Sequence, residues 1–563
     1  MTHWSRVIAA GIMLLLFGMM VGLILMSNGG VGFNAGTIQF GLLKWTAFIM
    51  VVVSGVFLTA DSLSEEKREG TLGLLFLTDL KGYDIVLGKL MSHSLQAFYG
   101  LLAMMPILAL PLLSGGVTGW EFWKTMLVIC NTLFLSLAVG MFVSCISREV
   151  LKAMNGAFVM LLIFSAGLPW LDLALTGFNA SRFKPVTSIA SPGWLFAELG
   201  GLRDREFWHS LAWQHAIGWG FMMLTCVLVP RCWHDKTVKE KGRLGSLWRN
   251  FSYGSAKTRL ARRRKLLPIN PVLWLASREM WLKKGIWIII ALCTGIILYD
   301  AWWDYHLNLG FWSPGRNRVV DNCIMPIWVV LQVTMALWVT SQACKFFVEA
   351  QRNGAMELML VTPLTPAQII SGQRRALWRA FWMSLVFIVA LQGLSSLVEI
   401  SNAKGMNFGA TPVAGNAVAM NRSYYYSTVA RCGTGLLNTP LRLAALGLCG
   451  MWMGMRSRKV TTAVLKTLCL VCVIPWFIEI FGQGFFSLIM IRALGTSGGS
   501  TTFVLWNMFF MSAVELIKNV FFIWLSPVML RQNFRAKAAN SGISGTGTFI
   551  AAQAPAVTPL KAA

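Results

Sequence analysis

Glu65-Glu66-Lys67-Arg68-Glu69-Gly70-Thr71-Leu72-Gly73-Leu74-Leu75-Phe76-Leu77-Thr78 has a degenerate second copy in the same chain, Glu349-Ala350-Gln351-Arg352-Asn353-Gly354-Ala355-Met356-Glu357-Leu358-Met359-Leu360-Val361-Thr362. Aligned without a gap, the copies pair Glu65 with Glu349, Arg68 with Arg352, Gly70 with Gly354, Leu74 with Leu358 and Thr78 with Thr362. The register continues through Leu80 and Leu364, Ile85 and Ile369, and Gly88 and Gly372. Both copies are too charged for lipid, so hydrocarbon does not impose their likeness. Duplication in a membrane chain marks a transport fold built from two related halves. A charged loop kept twice points to something outside the membrane that reads it.

The membrane character follows from composition. The chain has 563 residues, 56% hydrophobic and only 13% charged, which no soluble domain of that size shows. Apolar runs long enough to span hydrocarbon as helices recur. They fall near 6–26, 42–60, 94–113, 125–145, 154–171, 209–229, 285–299, 326–344, 380–398, 436–455, 467–489 and 503–529. The sequence therefore predicts an all-α polytopic membrane protein of about twelve transmembrane helices. The first run reads as a span rather than a cleaved signal, being too long and without a small-residue cleavage site.

A net charge of +26 invites a nucleic-acid reading, but its distribution argues against one. With the N-terminus inside, most Lys and Arg fall in cytoplasmic segments, as positive-inside topology requires. The densest patch surrounds Arg262-Arg263-Arg264-Lys265 and reads as a linker that meets anionic lipid headgroups. It lacks the interleaved aromatic and glycine pattern of a nucleic-acid module. The expected location is the plasma (inner) membrane, multi-pass, with both termini cytoplasmic.

A second anchor fixes the duplication. Gly140-Met141-Phe142-Val143-Ser144-Cys145-Ile146-Ser147-Arg148-Glu149-Val150 is echoed by Gly450-Met451-Trp452-Met453-Gly454-Met455-Arg456-Ser457-Arg458-Lys459-Val460. Ala153 then matches Ala463, and Pro169-Trp170 matches Pro475-Trp476. The register has shifted between the anchors, which places extra residues of the second half near 400–432, inside an expected outer loop at 399–435. An even number of spans per half makes the repeats parallel. The expected organisation is a six-span half at 1–230, a basic cytoplasmic linker at 231–267, a second six-span half at 268–535, and a disordered cytoplasmic tail at 536–563.

Local signals describe the repeated element. Ser62 with Glu65 fits a capping box, and the acids that follow suit the positive end of a helix dipole. Leu72, Leu75 and Phe76 share a face, as do Met356, Met359 and Leu360 in the second copy. A further helix starts at Thr365, Pro366 and Gln368, which form cap, first position and box. The second half opens with Pro268 through Lys284, where Trp and Leu mixed with Arg and Lys predict a helix lying in the interface.

The pattern Glu66-x-x-x-Gly70-Thr71-Leu72-x-Leu74-Leu75-x-x-Thr78, followed by Ile85-x-x-Gly88-Lys89, resembles the loop between the second and third spans of ABC-2 type transporter permeases. Asn270-Pro271 to Arg278-Glu279 looks like the interfacial helix of the same family. The likeness runs through both halves. It implies that the spans form a substrate path and that the loop is a coupling helix on a separate cytoplasmic ABC ATPase, present as two copies or a heteropair. ATP and Mg would be bound by that partner and no cofactor by this chain. Carried over residue by residue, Glu65, Arg68, Glu69, Gly70, Thr71 and Leu72 would dock the ATPase in the first half. Glu349, Arg352, Gly354, Ala355 and Met356 would do so in the second. Asn353, Ala355 and Met356 replace Glu69, Thr71 and Leu72, so the two docking sites are expected to be unequal.

Other chemistry is sparse. No G-x-x-x-x-G-K-[ST] occurs, so ATP hydrolysis is assigned elsewhere and the chain is not expected to be an enzyme. Ser371-Gly372-Gln373-Arg374-Arg375 superficially suggests an ATPase signature but aligns internally with Leu87-Gly88-Lys89-Leu90-Met91. No metal or catalytic constellation is visible; Cys469 and Cys472 form a lone C-x-x-C inside an apolar run. Cys323 and Cys432 both fall in expected outer loops. Pro106, Pro111, Pro169 and Pro475 mark bends. Glu479, Glu515 and Lys518 are ionisable groups inside spans and candidates for the substrate path, with Glu515 and Lys518 spaced to pair on one helix face. The leading expectation is the permease subunit of an ATP-driven exporter. The alternative is an ATP-independent secondary transporter or channel with parallel repeats. Association with a second permease chain is left open.

Overall fold

A computed structural model describes residues 35–113, 115–175, 185–201, 203–232, 256–277, 281–306, 325–362, 364–405, 414–476 and 501–545, with isolated positions at 11, 18 and between 478 and 489. Among these residues there is helix and turn and no strand. Seven helical segments are long and apolar enough to cross a membrane: Gln39–Glu69, Gly82–Leu113, Gly119–Ile146, Val150–Leu173, Asp204–Cys232, Pro366–Ser401 and Phe509–Gln532. The chain is an all-helical membrane protein. Two shorter apolar helices, Gly285–Leu298 and Val460–Trp476, lie at other expected spans. The helices over 326–344 and 436–455 carry Gln332, Thr334, Asn438, Thr439 and Arg442, which lower their hydropathy. The expected first span at 6–26 lies almost wholly outside the described residues.

The first half opens with α1 (Ala35–Thr59), which turns at Ala60-Asp61 and resumes as α2 (Ser62–Glu69). Next come α3 (Thr71–Leu77) and the spans α4 (Gly82–Leu113) and α5 (Gly119–Ile146). After them stand α6 (Val150–Leu162), a π-helical turn at Ile163–Gly167, α7 (Leu168–Leu175), α8 (Pro192–Ala197) and α9 (Asp204–Cys232). The basic linker contributes α10 (Ala256–Leu266). The second half runs through α11 (Pro271–Ala276), α12 (Trp281–His306), α13 (Met325–Arg352), α14 (Ala355–Val361), α15 (Pro366–Gly405) and α16 (Ala414–Arg456). It closes with α17 (Val460–Leu468), a π-helical turn at Cys469–Val473, and α18 (Thr501–Gly545).

The π-helical turns fall just before Pro169-Trp170 and Pro475-Trp476, the pair that matches between halves. Proline lacks an N–H and its ring presses on the carbonyl four residues back; one widened turn relieves both. In the first half that carbonyl, on Ser165, accepts a bond from Ser191 Oγ at 2.8 Å. A second symmetry feature is close helix approach at Gly140 and Gly450. A Cβ at Gly140 would lie 1.9 Å from Thr59 Oγ1 on α1, and one at Gly450 would lie 2.9 Å from Ala343 Cβ on α13.

Among the described residues, the three largest apolar cores arrange the two halves. One belongs to the first half, with Phe40, Leu63, Leu72, Leu108, Ile129 and Phe207. One belongs chiefly to the second, around Met335, Trp338, Ile388, Leu446 and Phe522. The third joins the halves: Val56, Val139, Ala153, Met154 and Ala157 pack with Leu337, Cys344, Val460, Ala463 and Val464. Ala153 and Ala463 are thus repeat-related residues in one shared core. Asn155 Nδ2 crosses the same interface to Ser341 Oγ at 3.3 Å.

The structure departs from expectation at the outer loop and at the tail. The extra residues of the second half do not form a long outer loop. They lengthen α15 and α16 to 40 and 43 residues, against 32 and 28 in α4 and α5. The final helix continues to Gly545, past residue 536 where a disordered tail is expected, and 546–563 lie outside the described residues. Pro106 and Pro111 lie within α4. Cys323 lies outside the described residues, while the Cys432 thiol is buried 3.9 Å from the Ser396 carbonyl.

Candidate functional site

Both copies of the repeated loop fold into one device. A helix ends at a left-handed glycine, a short helix follows, and an extended threonine terminates it. Gly70 has φ 78° and ψ 0°, Gly354 φ 66° and ψ 1°. An L-residue in this region costs about 1–2 kcal/mol, which explains why glycine stands in both copies. Thr78 and Thr362 are both extended, and each hydroxyl donates to the carbonyl three residues back, Leu75 at 2.5 Å and Met359 at 2.6 Å.

The anchors to the rest of each half are also matched. The Lys67 ammonium donates to the Cys145 carbonyl, at the end of α5. The Gln351 amide donates to the Met455 carbonyl at the end of α16, at 2.9 Å. Leu72 and Met356 each seat a side chain only 1% exposed. The following helices begin alike: Lys81 N donates to Asp84 Oδ2 and Thr365 N to Gln368 Oε1, both at 2.9 Å. Thr365 completes the box by accepting from Gln368 N at 3.3 Å, as its sequence predicts.

The box expected at Ser62 and Glu65 does not form. Asp61 occupies the N-cap position without a side-chain cap, and Ser62 is already helical, its hydroxyl turned back to the Thr59 carbonyl. The orphan N–H groups of Leu63 and Ser64 are met from another helix, by Ser144 Oγ at 3.0 Å each. In the second half the corresponding residue is Gly454, and α13 runs unbroken past the same level.

The charged residues bridge the halves. Arg352 Nη2 meets Glu69 Oε1 at 2.5 Å, Lys459 Nζ meets Glu65 Oε2 at 3.0 Å, and Lys345 Nζ meets Glu149 Oε2 at 3.2 Å. Lys152 joins Glu149 at 2.5 Å, and Glu349, half-exposed, lies 3.9 Å from Lys345. Arg68 stays within its half, 3.4 Å from Asp61. Burial alone would raise the Glu149 carboxyl, but Lys345 and Lys152 outweigh it and hold it below the usual carboxylate value. Glu65, Glu69 and Arg352 therefore tie one copy of the element to the opposite half.

Each elbow also exposes apolar side chains beside polar ones such as Glu357. Leu74 and Leu358, identical in the two copies, are 63% and 71% exposed, and Leu77 is 80% exposed. With Thr71 and Ala355 beside them, they form the outward tips of α3 and α14. The docking residues expected from sequence, Glu65 to Leu72 and Glu349 to Met356, do not include these exposed leucines, although Leu74 and Leu358 pair in the repeat.

The candidate groups inside the spans do not pair as their spacing suggests. Lys518 turns away from Glu515 to Glu479, at 3.3 Å. Glu515 Oε2 accepts from Asn438 Nδ2 on α16 at 3.1 Å. The reason is the parallel packing of α16 and α18, which also sets Thr434 against Ser512 at 3.1 Å. Among the described residues no group of three His, Cys, Asp or Glu could hold a metal ion. No family model, no curated protein and no solved structure matches the chain.

Proposed function

We propose that this chain is the membrane-spanning subunit of an ATP-driven ABC-type transporter, an exporter made of two fused permease halves. The observation that carries the reading is the paired device: two helix–glycine–helix elbows with matched anchors, each presenting an exposed leucine. A surface kept in two copies suits a partner with two equivalent sites, such as a pair of cytoplasmic ATPase subunits. ATP and Mg would be held there. The inter-half ion pairs would carry a push on one elbow to both halves. Glu479, Glu515, Lys518 and Asn438 form a polar patch within the spans and would border the substrate path. Anionic lipid would meet the basic linker around Arg262–Lys265. A second permease chain would make the assembly larger without changing the device.

The test is purification of the full chain from its native membrane beside a Leu74→Glu/Leu358→Glu variant. A nucleoside triphosphatase that accompanies the wild type and is lost from the variant, with unchanged thermal stability, is the expected result. A native complex that retains other weakly bound partners yet contains no nucleoside triphosphatase overturns the proposal in favour of secondary transport.

A further inference from the structure

At one further place the repeat lets the two halves be compared residue for residue, and they differ. In the first half, Glu66 Oε1 accepts from Lys89 Nζ at 2.5 Å, and Glu66 Oε2 from the Thr71 hydroxyl. These three side chains close the space between α2, α3 and the start of α4. Their counterparts in the second half are Ala350, Ala355 and Gln373. The polar knot is gone, and a cavity of about 460 Å³ stands in its place.

The cavity is open to a specific chemistry. Gln373 is 3% exposed and lines it, and its Oε1 has no hydrogen-bond partner among the described residues; its Nε2 is spent on the Gln342 carbonyl at 3.4 Å. Gln342 Nε2, also buried and lining, has no partner either. A buried amide left unsatisfied costs about 1–3 kcal/mol, so an acceptor and a donor unused in one cavity call for a ligand that offers both. The charged atoms in the lining repeat that polarity: the Lys345 ammonium and the Glu349 carboxylate, 3.9 Å apart. Leu275, which is 41% exposed, and Met359 supply the apolar wall. The place is the membrane boundary. α11 forms one side, capped by Asn270 Oδ1 on Val272 N and Leu273 N at 2.8 and 3.2 Å, and the Pro366–Ser401 span begins two turns before Gln373.

We propose that this cavity is a binding site for the headgroup of an ethanolamine phospholipid. The phosphodiester accepts from Lys345 Nζ and Gln342 Nε2, and the primary ammonium donates to Gln373 Oε1 and Glu349. A choline headgroup has no N–H to give Gln373 and is excluded by that atom. The site rests on the repeat and the cavity, and does not depend on how transport is driven.

Native mass spectrometry of the full chain, released from vesicles of equal phosphatidylethanolamine and phosphatidylcholine, reads the preference directly. Wild type should retain phosphatidylethanolamine over phosphatidylcholine by about tenfold, the worth of one charge-assisted bond. Gln373→Leu should bring the ratio to about one, and Ala350→Glu/Ala355→Thr/Gln373→Lys, which rebuilds the first half's knot, should abolish retention. If the triple variant fails to fold, the single variant decides. Equal retention of the two lipids by wild type, or a preference untouched by Gln373→Leu, overturns the proposal. Release of the bound lipid by millimolar glycerophosphoethanolamine also overturns it, because a soluble headgroup is then the ligand; retention against that competitor supports the lipid.

Discussion

Neutralising Glu149 tests whether the ion pairs between the halves hold them together. The pair with Lys345 is the one to perturb, because the Lys345 side chain is 10% exposed and Glu149 29%. At 3.2 Å and an effective dielectric of ~20 the attraction is about 5 kcal/mol before desolvation. Desolvation of the buried ammonium offsets most of that, and the exposed part of Glu149 is screened. About 1–2 kcal/mol of coupling is left. Glu149→Gln, Lys345→Met and the double variant form the cycle, read by unfolding in mixed micelles with tryptophan fluorescence. Arg352 and Glu69 are the control: their contact is shorter, at 2.5 Å, but the side chains are 41% and 46% exposed, so their coupling should stay under about 1 kcal/mol. The Glu149 arm also depends on pH. Its carboxyl is depressed in the folded chain, so its contribution is fully present above the ordinary value of 4.5 and is lost as pH falls through the folded value. The gap between wild type and Glu149→Gln should be flat at neutral pH and close in acid below that value. Strictly additive single variants, or coupling at Arg352–Glu69 equal to that at Glu149–Lys345, would refute the reasoning.

Two further predictions use the same titration. Gly354→Ala and Gly70→Ala should each cost about 1–2 kcal/mol through their positive φ, while Gly88→Ala, helical and facing open space, should be neutral or slightly stabilising. Ser144→Ala leaves the Leu63 and Ser64 N–H groups without their acceptor and should cost about 1–3 kcal/mol. Faster hydrogen exchange confined to those two amides would mark the cause, and unchanged exchange would exclude it.

Legibility followed the range of each interaction. Features that depend on neighbours within a turn were readable, such as the capping box at Thr365 and Gln368. The repeat itself was readable because identity survives at positions with a backbone reason to stay. What the sequence hid were contacts across the fold. Ser62 looked like a cap, yet Ser144, far along the chain, does that work. Lys518 looked matched to Glu515, yet it reaches Glu479 because neighbouring helices set the geometry. The charged loop residues looked free for a partner, although half of them face the opposite half.

The bridging pairs also discriminate. Glu149 stands in the first half where Lys459 stands in the second, and Asp61 where Lys345 stands. Each half therefore carries the charge its neighbour lacks. Two copies of the first half, set face to face in the same manner, would bring Glu149 against Asp61 and Glu65, three carboxylates with only Lys152 on Glu149 and Arg68 on Asp61 to offset them. Such an assembly is penalised at its rim before its apolar core closes. The two facing surfaces on this chain are thus a lock and a key rather than two copies of one self-complementary surface. The covalent link gives the halves proximity, and the exchanged charges give them identity, so an error that matched like with like would be expelled by electrostatics.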